Sequence, residues 1–364
     1  MIKKTLLLLL LLWAGVIQAQ KRHTTVSIRS ENFYINGKIT LQGKSYQGMN
    51  LEGLLPNSRM VQGIFDDTNP ETKHQWKYAD TGEWDPDRNT REFVEAMEIW
   101  KKKGLLAFTV NLQGGSPYGY SKSQPWHNSA IRPDGTLDDA YMKRLEKILT
   151  RADQLGMVVI LGYYYFGQDG RIVDDRAIEE GVKNTTNWVL DKKYENVIVE
   201  IANECNINYK THPILQPQQT VTLIDLVKSI QRKGRRLLVS TSFSGNFIPT
   251  DEVLAASDFV LVHGNGVKQP ERIEEMVKII RDKKTYKGQP IVFNEDDHFD
   301  FDKPYNNFIA ATKAHASWGY FDYRMKDEAY QDGYQSVPVD WGIDSPRKKA
   351  FFDLLQKMTQ GSKH

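Results

Sequence analysis

The chain has one cysteine, Cys205, among 364 residues. No intramolecular disulfide can form, and a zinc cluster built on several cysteines is excluded by count. Stability must come from core burial instead. Blocks of like charge are missing as well: 48 Lys and Arg face 46 Asp and Glu, a formal net charge of +2. That balance favours neither nucleic acid nor an anionic membrane as partner. No G-x-G-x-x-G follows the first strand candidate, and no glycine-rich phosphate loop is visible. No Pro/Gly/Ser-rich linker divides the chain, so one domain is the simplest organisation. An apolar run of membrane-spanning length is absent too. The run from Leu6 to Ile17 falls short of the about 20 residues a spanning helix needs.

That short run fits another role. Lys3 and Lys4 precede it, and Ile17-Gln18-Ala19 closes it. A positive start, a short apolar core and a small residue before the break describe a secretory signal peptide. Residues 1–19 are expected to be removed after Ala19, leaving a secreted or periplasmic protein free of the membrane. An uncleaved anchor is the alternative. No cysteine stands beside the cleavage point to take a lipid.

The rest of the chain alternates two periodicities. FYINGKITL carries Asn36-Gly37 between apolar segments, a two-residue hairpin signal because both residues tolerate positive φ. Residues 20–44 are therefore expected to form an N-terminal β-hairpin segment. Strand-like runs follow at 45–50, 105–111, 157–162, 197–203, 237–242, 259–263, 290–295 and 317–321. Helical stripes lie between them. Phe93, Met97 and Trp100 form one, starting at Thr90 and stopping at Gly104; Tyr141, Leu145, Ile148, Ala152 and Leu155 form the next, ending at Gly156. Leu223, Val227 and Ile230 follow, ending at Gly234, then Ile273, Val277 and Ile280. Ser345-Pro346 opens a last helix with an N-cap and an N1 proline. Eight strands alternating with about eight helices predict an α/β fold, a (β/α)8 barrel over residues 45–364. A doubly wound open sheet is the rival architecture.

Residues 51–89 and 112–137 are too long to be plain connections. Trp76, Tyr78, Trp84, Tyr118, Tyr120 and Trp126 argue that they are ordered. In a barrel they would sit on the C-terminal face, and Trp76 and Trp84 are expected to stack on a bound ligand beside Trp318.

Strand ends supply the functional groups of such a barrel. Here they are Asn50, Asn111, Tyr163, Asn203 with Glu204, Ser242, His263, Asn294 with Glu295, and Trp318. No Arg or Lys stands among them. Two carboxylates set among amides, hydroxyls and aromatic rings suit a sugar cleft rather than a phosphate site. Such a pair can hydrolyse a glycosidic bond when one carboxyl is protonated and the other ionised. Glu204 ends VIVEIAN, an apolar strand that would bury an unpaired charge at a cost, so a cleft role is favoured over a turn cap.

EIANE (200–204) and PIVFNE (290–295) resemble the strand-four and strand-seven motifs of clan A (β/α)8 glycoside hydrolases, near family 5. The hairpin leading to Gly48-Met49-Asn50 looks like the opening segment of those enzymes. The resemblance implies Glu204 as acid/base, Glu295 as nucleophile, and Asn203, His263, Trp318, Tyr163, Asn111 and Asn50 as substrate-binding residues. It implies an oligo- or polysaccharide substrate, no cofactor and no metal. Departures are present: Cys205 replaces a proline, strand two reads TVNLQ where an Arg is usual, strand three reads GYYYFG where a His is usual, and Asn265 stands where a Tyr is expected.

Blander roles compete. Glu295 begins an acidic run with Asp296 and Asp297 that could simply be solvated. Asp296, Asp297 and His298 could be metal ligands, although a second cluster at defined spacing is missing. Cys205 reads as a packed small residue. The rival functions are a catalytically inactive carbohydrate-binding barrel and a metal-dependent hydrolase.

Overall fold

The computed structural model describes residues 23–121, 123–207, 209 and 211–361. The signal segment 1–19 lies outside the described residues. Strands β1 (Val26–Arg29), β2 (Asn32–Ile35) and β3 (Lys38–Ile39) form an antiparallel sheet. Its β2–β3 turn is Asn36-Gly37, both at positive φ, as the dipeptide requires. A second small hairpin pairs β4 (Ser45–Tyr46) with β5 (Met49–Asn50) around Gln47-Gly48.

The fold is a (β/α)8 barrel. Its strands are β6 (Asn57–Arg59), β7 (Ala107–Asn111), β8 (Val158–Tyr165), β9 (Val197–Asn203), β10 (Leu238–Ser240), β11 (Val260–His263), β12 (Ile291–Glu295) and β13 (Gly319–Tyr320). Parallel pairing runs β10-β9-β8-β7-β6-β13. Bridges Val292–Ser317 and Asp296–Tyr320 carry it to β12, which pairs with β11. The Asp258 N–H bonds the Val239 carbonyl at 3.0 Å and links the remaining seam. The helices are α1 (Pro86–Lys102), α2 (Asp139–Leu155), α3 (Asp175–Asp191), α4 (Thr220–Ser229), α5 (Asp251–Ala256), α6 (Pro270–Asp282), α7 (Asn307–Lys313) and α8 (Pro346–Gln360).

Three expectations are corrected. The run 45–50 is not the first barrel strand; β6 is, seven residues after Asn50. Helix α1 starts four residues before Thr90, capped by Asp85, while the Thr90 hydroxyl bonds the Gly63 carbonyl at 2.7 Å. Helix α4 ends at Ser229 rather than at Gly234.

The barrel interior changes character along its axis. Its lower part packs Leu55, Ala107, Val158, Ile160, Ile198, Phe259, Leu261 and Val292 around Phe33, which the N-terminal sheet inserts from below. Two residues further along, the same inward alternation brings Thr109, Gly162, Glu200, His263 and Asn294. The strands thus hand over from an apolar plug to a polar layer at their C-terminal ends. A larger apolar cluster fills the space between barrel and helices.

Candidate active site

Four strand ends converge on one buried charge cluster. Arg59, at the end of β6, is fully buried. Its Nε lies 2.6 Å from Glu295 Oε2 and its Nη1 3.8 Å from Glu200 Oε2. The Nε contact lacks hydrogen-bond alignment, so it is an ion pair held mainly by charge. Nη2 donates to Asn203 Oδ1 at 2.7 Å. His263 Nδ1 sits 2.9 Å from Glu204 Oε1 and 3.5 Å from Glu295 Oε2. Asn265 Nδ2 donates to the other oxygen of Glu295 at 2.6 Å. One oxygen of Glu204, one of Glu295 and a ring nitrogen of His263 all lie within 4.8 Å of one another.

Backbone geometry delivers Glu204. Its φ of 51° is left-handed, a conformation that costs a side-chain-bearing residue roughly 1–2 kcal/mol. The Ser242 hydroxyl accepts its N–H at 2.8 Å, and the Ser242 carbonyl accepts that of Cys205 at 2.9 Å. The next strand therefore holds the turn that ends β9. Cys205 is a packed residue; burial pushes its thiol well above the usual range.

Burial raises the Glu295 carboxyl above its ordinary range, against the opposing charges of Arg59 and His263. For His263 burial opposes the charged form, yet the carboxylates of Glu295 and Glu204 outweigh it and the net direction is up. Glu204, His263 and Glu295 could in geometry ligate a metal ion, but the Arg59 guanidinium already neutralises Glu295 from 2.6 Å. A divalent cation there would sit against a buried positive charge. Asp296, Asp297 and His298 form a second such group. Asp296 already accepts from Trp318 Nε1 (2.8 Å), Asn307 Nδ2 (3.0 Å) and His298 Nδ1 (2.8 Å), so it serves as a structural hub.

Of the residues singled out in the sequence, Asn203, Glu204, His263 and Glu295 meet here. Of the other four, Asn111 shares the barrel's polar layer, so close to Gly162 that a Cβ there would stand 2.1 Å from its Oδ1, and both its amide atoms lack a hydrogen-bond partner among the described residues. The remaining three stand elsewhere. Asn50 is exposed on the β4–β5 hairpin, where its side chain accepts the Glu52 N–H at 3.0 Å. Tyr163 turns outward, its hydroxyl 3.1 Å from Thr186 Oγ1 on α3. Trp318 is buried and stacks on Phe308 at 5.0 Å, facing the helices. Tyr165, not Tyr163, faces the cluster, and the charges of Glu295, Arg59 and Glu204 act on its hydroxyl.

The residue missed altogether is Arg59. Asn57-Ser58-Arg59 is fully buried yet wholly polar, so no hydropathy pattern marks it as a strand. Asn57 Nδ2 and the Ser58 hydroxyl donate to the carbonyls of Phe293 and Tyr320. The strand is held by neighbours distant in sequence, and no local signal could have found it.

The aromatic residues of the 51–89 connection pack on each other instead of lining the mouth. Trp76 is buried, donates to Asp67 Oδ2 at 2.7 Å and meets Phe65 and Trp126 edge to face. Trp84 stacks on Tyr78 at 5.3 Å. Trp76→Ala should accordingly cost about 3–5 kcal/mol of stability, read as a lowered Tm. Loss of kcat/KM at unchanged Tm would instead put the ring at the ligand.

No model of a known protein family matches the chain, and no curated protein matches its sequence. Solved structures do match its fold. An endo-1,4-beta-mannanase from Rhizomucor miehei superposes with a TM-score of 0.58 at 12% identity, covering 93% of this chain and all of that one. A Bacteroides vulgatus protein described provisionally as a glycoside hydrolase gives 0.56 at 14% identity. The match covers 95% of this chain but only 63% of that protein's length. A family GH5-4 broad-specificity endoglucanase from Bacteroides salanitronis gives 0.55 at 10% identity, over 84% of this chain and 93% of the other. The barrel is of the kind found in family 5 glycoside hydrolases. Among the described residues no helix is long and apolar enough to cross a membrane.

Proposed function

We propose that this chain is an exported glycoside hydrolase that cleaves O-glycosidic bonds with retention, using Glu204 as acid/base and Glu295 as nucleophile. The observation that carries the reading is the meeting of these two carboxyls, from the ends of the fourth and seventh barrel strands, around His263 and Arg59. One oxygen of each lies within 4.8 Å of one of the other, a proximity compatible with the about 5–5.5 Å separation of the carboxyl groups in retaining enzymes. The glycoside hydrolases that share the fold support the reaction class. Export rests on the N-terminal segment, with cleavage after Ala19.

Arg59 and Asn265 occupy the two oxygens of Glu295 and orient it for attack. In the proposed reaction Glu204 gives a proton to the departing oxygen while Glu295 bonds the anomeric carbon. Water then attacks the glycosyl-enzyme, losing a proton to Glu204 and releasing Glu295.

The purified protein should hydrolyse at least one member of a panel of chromogenic glycosides. Because Glu295 must be ionised to attack and burial raises its pKa, the acid limb of kcat/KM should lie above the ordinary carboxylate range. A limb at or below pH 4, about where a free Glu titrates, would remove Glu295 from the nucleophile role.

A further inference from the structure

Among the described residues, one half of the barrel mouth is crossed by a tethered segment and the other is not. Residues 115–120, from the connection after β7, run across the ends of β8, β7, β6 and β13. A Cβ on Gly115 would stand 3.0 Å from the Tyr165 ring, and one on Gly119 would stand 2.4 Å from Tyr323. The segment is tied down between those points. Gln62 Nε2 donates to the carbonyls of Gly115 and Ser116 at 2.9 and 3.1 Å. Gln335 Nε2 donates to those of Ser116 and Gly119 at 3.3 and 3.2 Å, and the Val337 N–H bonds the Pro117 carbonyl at 2.9 Å. The Tyr120 ring packs edge to face on Phe321 and Tyr323. Its hydroxyl reaches across to Asp297 Oδ2 at 3.0 Å, two residues beyond Glu295.

The opposite half, beyond Glu204, is framed differently. Asn206 and Ser244 bond each other there, and the Asn246 N–H takes the His263 carbonyl at 3.2 Å. Phe247, next in the chain, leaves 56% of its surface exposed. An exposed ring on the connection after β10, which also holds the Glu204 N–H through Ser242, offers an apolar face on which a departing sugar can rest.

The two halves have different chemical meanings. The unit attacked by Glu295 lies over that residue, under the crossing segment, whereas the leaving oxygen lies toward Glu204. A polymer threading the cleft would need to continue past Glu295, where residues 115–120 and the Tyr120–Asp297 contact stand. We propose that the cleft is a one-ended pocket that accepts a single terminal unit from the non-reducing end, with Tyr120 as its end wall and Phe247 as the platform for the leaving part. This rests on the hydrolase reading above and adds an exo mode of action to it.

Oligosaccharides labelled at the reducing end, built from the sugar that responds in the glycoside panel, test it. The expected result is free monosaccharide from the first time point and a labelled ladder that shortens one unit at a time. Tyr120→Phe, which keeps the ring, should retain that pattern, whereas Tyr120→Gly should let unlabelled di- and trisaccharides appear among the first products. First products longer than one unit from the wild type would overturn the pocket while leaving the hydrolase reading intact. One-unit products from Tyr120→Gly would overturn Tyr120 as the wall. Absence of turnover on every glycoside would overturn the hydrolase reading itself, and the exo mode with it.

Discussion

Glu295→Gln should lower kcat by a factor on the order of 10⁴ or more, the scale on which loss of a nucleophile is felt in other hydrolases. The amide cannot form the glycosyl-enzyme, yet it has the carboxylate's shape and can still accept from Asn265. The fold should survive because Arg59 keeps two other partners, Asn203 at 2.7 Å and Glu200 at 3.8 Å. Kinetics on a chromogenic glycoside, with circular dichroism to follow unfolding, would show both. Activity within tenfold of wild type in a folded variant would remove Glu295 from the nucleophile role and return it to the acidic run it begins.

Arg59→Met should lose about 3–5 kcal/mol, the cost of leaving a buried charge without its partner. Here two carboxylates, Glu295 and Glu200, would be left facing each other. The loss should depend on pH, with a sign that follows from the position of Glu295. Burial already holds its folded-state pKa above the unfolded value, and Arg59 acts against that rise. Without the guanidinium the folded pKa climbs further. A carboxyl raised in this way is most favourable to folding below its unfolded pKa, about 4.3 for Glu. Its contribution is lost as pH rises through the folded value. The variant should therefore come nearest wild-type stability around pH 4 and fall behind toward neutrality. The acid limb of its kcat/KM profile should move to higher pH for the same reason. Arg59→Lys restores the charge without the fork that reaches Asn203 and Glu295 together, and should fall between the two. A deficit that does not change with pH, together with an unmoved acid limb, would show that Arg59 only fills space.

The second experiment turns on a residue that the linear chain conceals. Alternating strand and helix periods predicted the barrel from the amino-acid sequence alone, because most strands are apolar runs and most helices carry a buried stripe. They also placed Glu204 and Glu295, since each carboxylate follows a long β-branched or aromatic run whose end is easily seen. Asn203 and His263 came with them for the same reason. The hairpin turn at Asn36-Gly37 was legible because only a few residues adopt positive φ without cost.

What the tertiary structure decided was direction and distance. Arg59 lies in a strand with no apolar residue, made stable by carbonyls and carboxylates contributed from β9, β12 and β13. Trp318 precedes β13 and Tyr163 lies inside β8, so neither stands at the strand end that its apolar run suggested. Between β11 and β12 the register shifts after Val262, so His263 pairs with Glu295 rather than with Asn294, a match that counting along either strand alone does not give. The aromatic residues of the long connections were visible as ordered, but composition cannot say whether rings face a ligand or one another. Trp76 and Trp84 turned inward, while Tyr120 reached across the mouth to Asp297. Local propensity sets which segments are strands and helices; the meeting of Arg59 with Glu295, 236 positions apart in the chain, is set only when the barrel closes and their two strand ends share one polar layer.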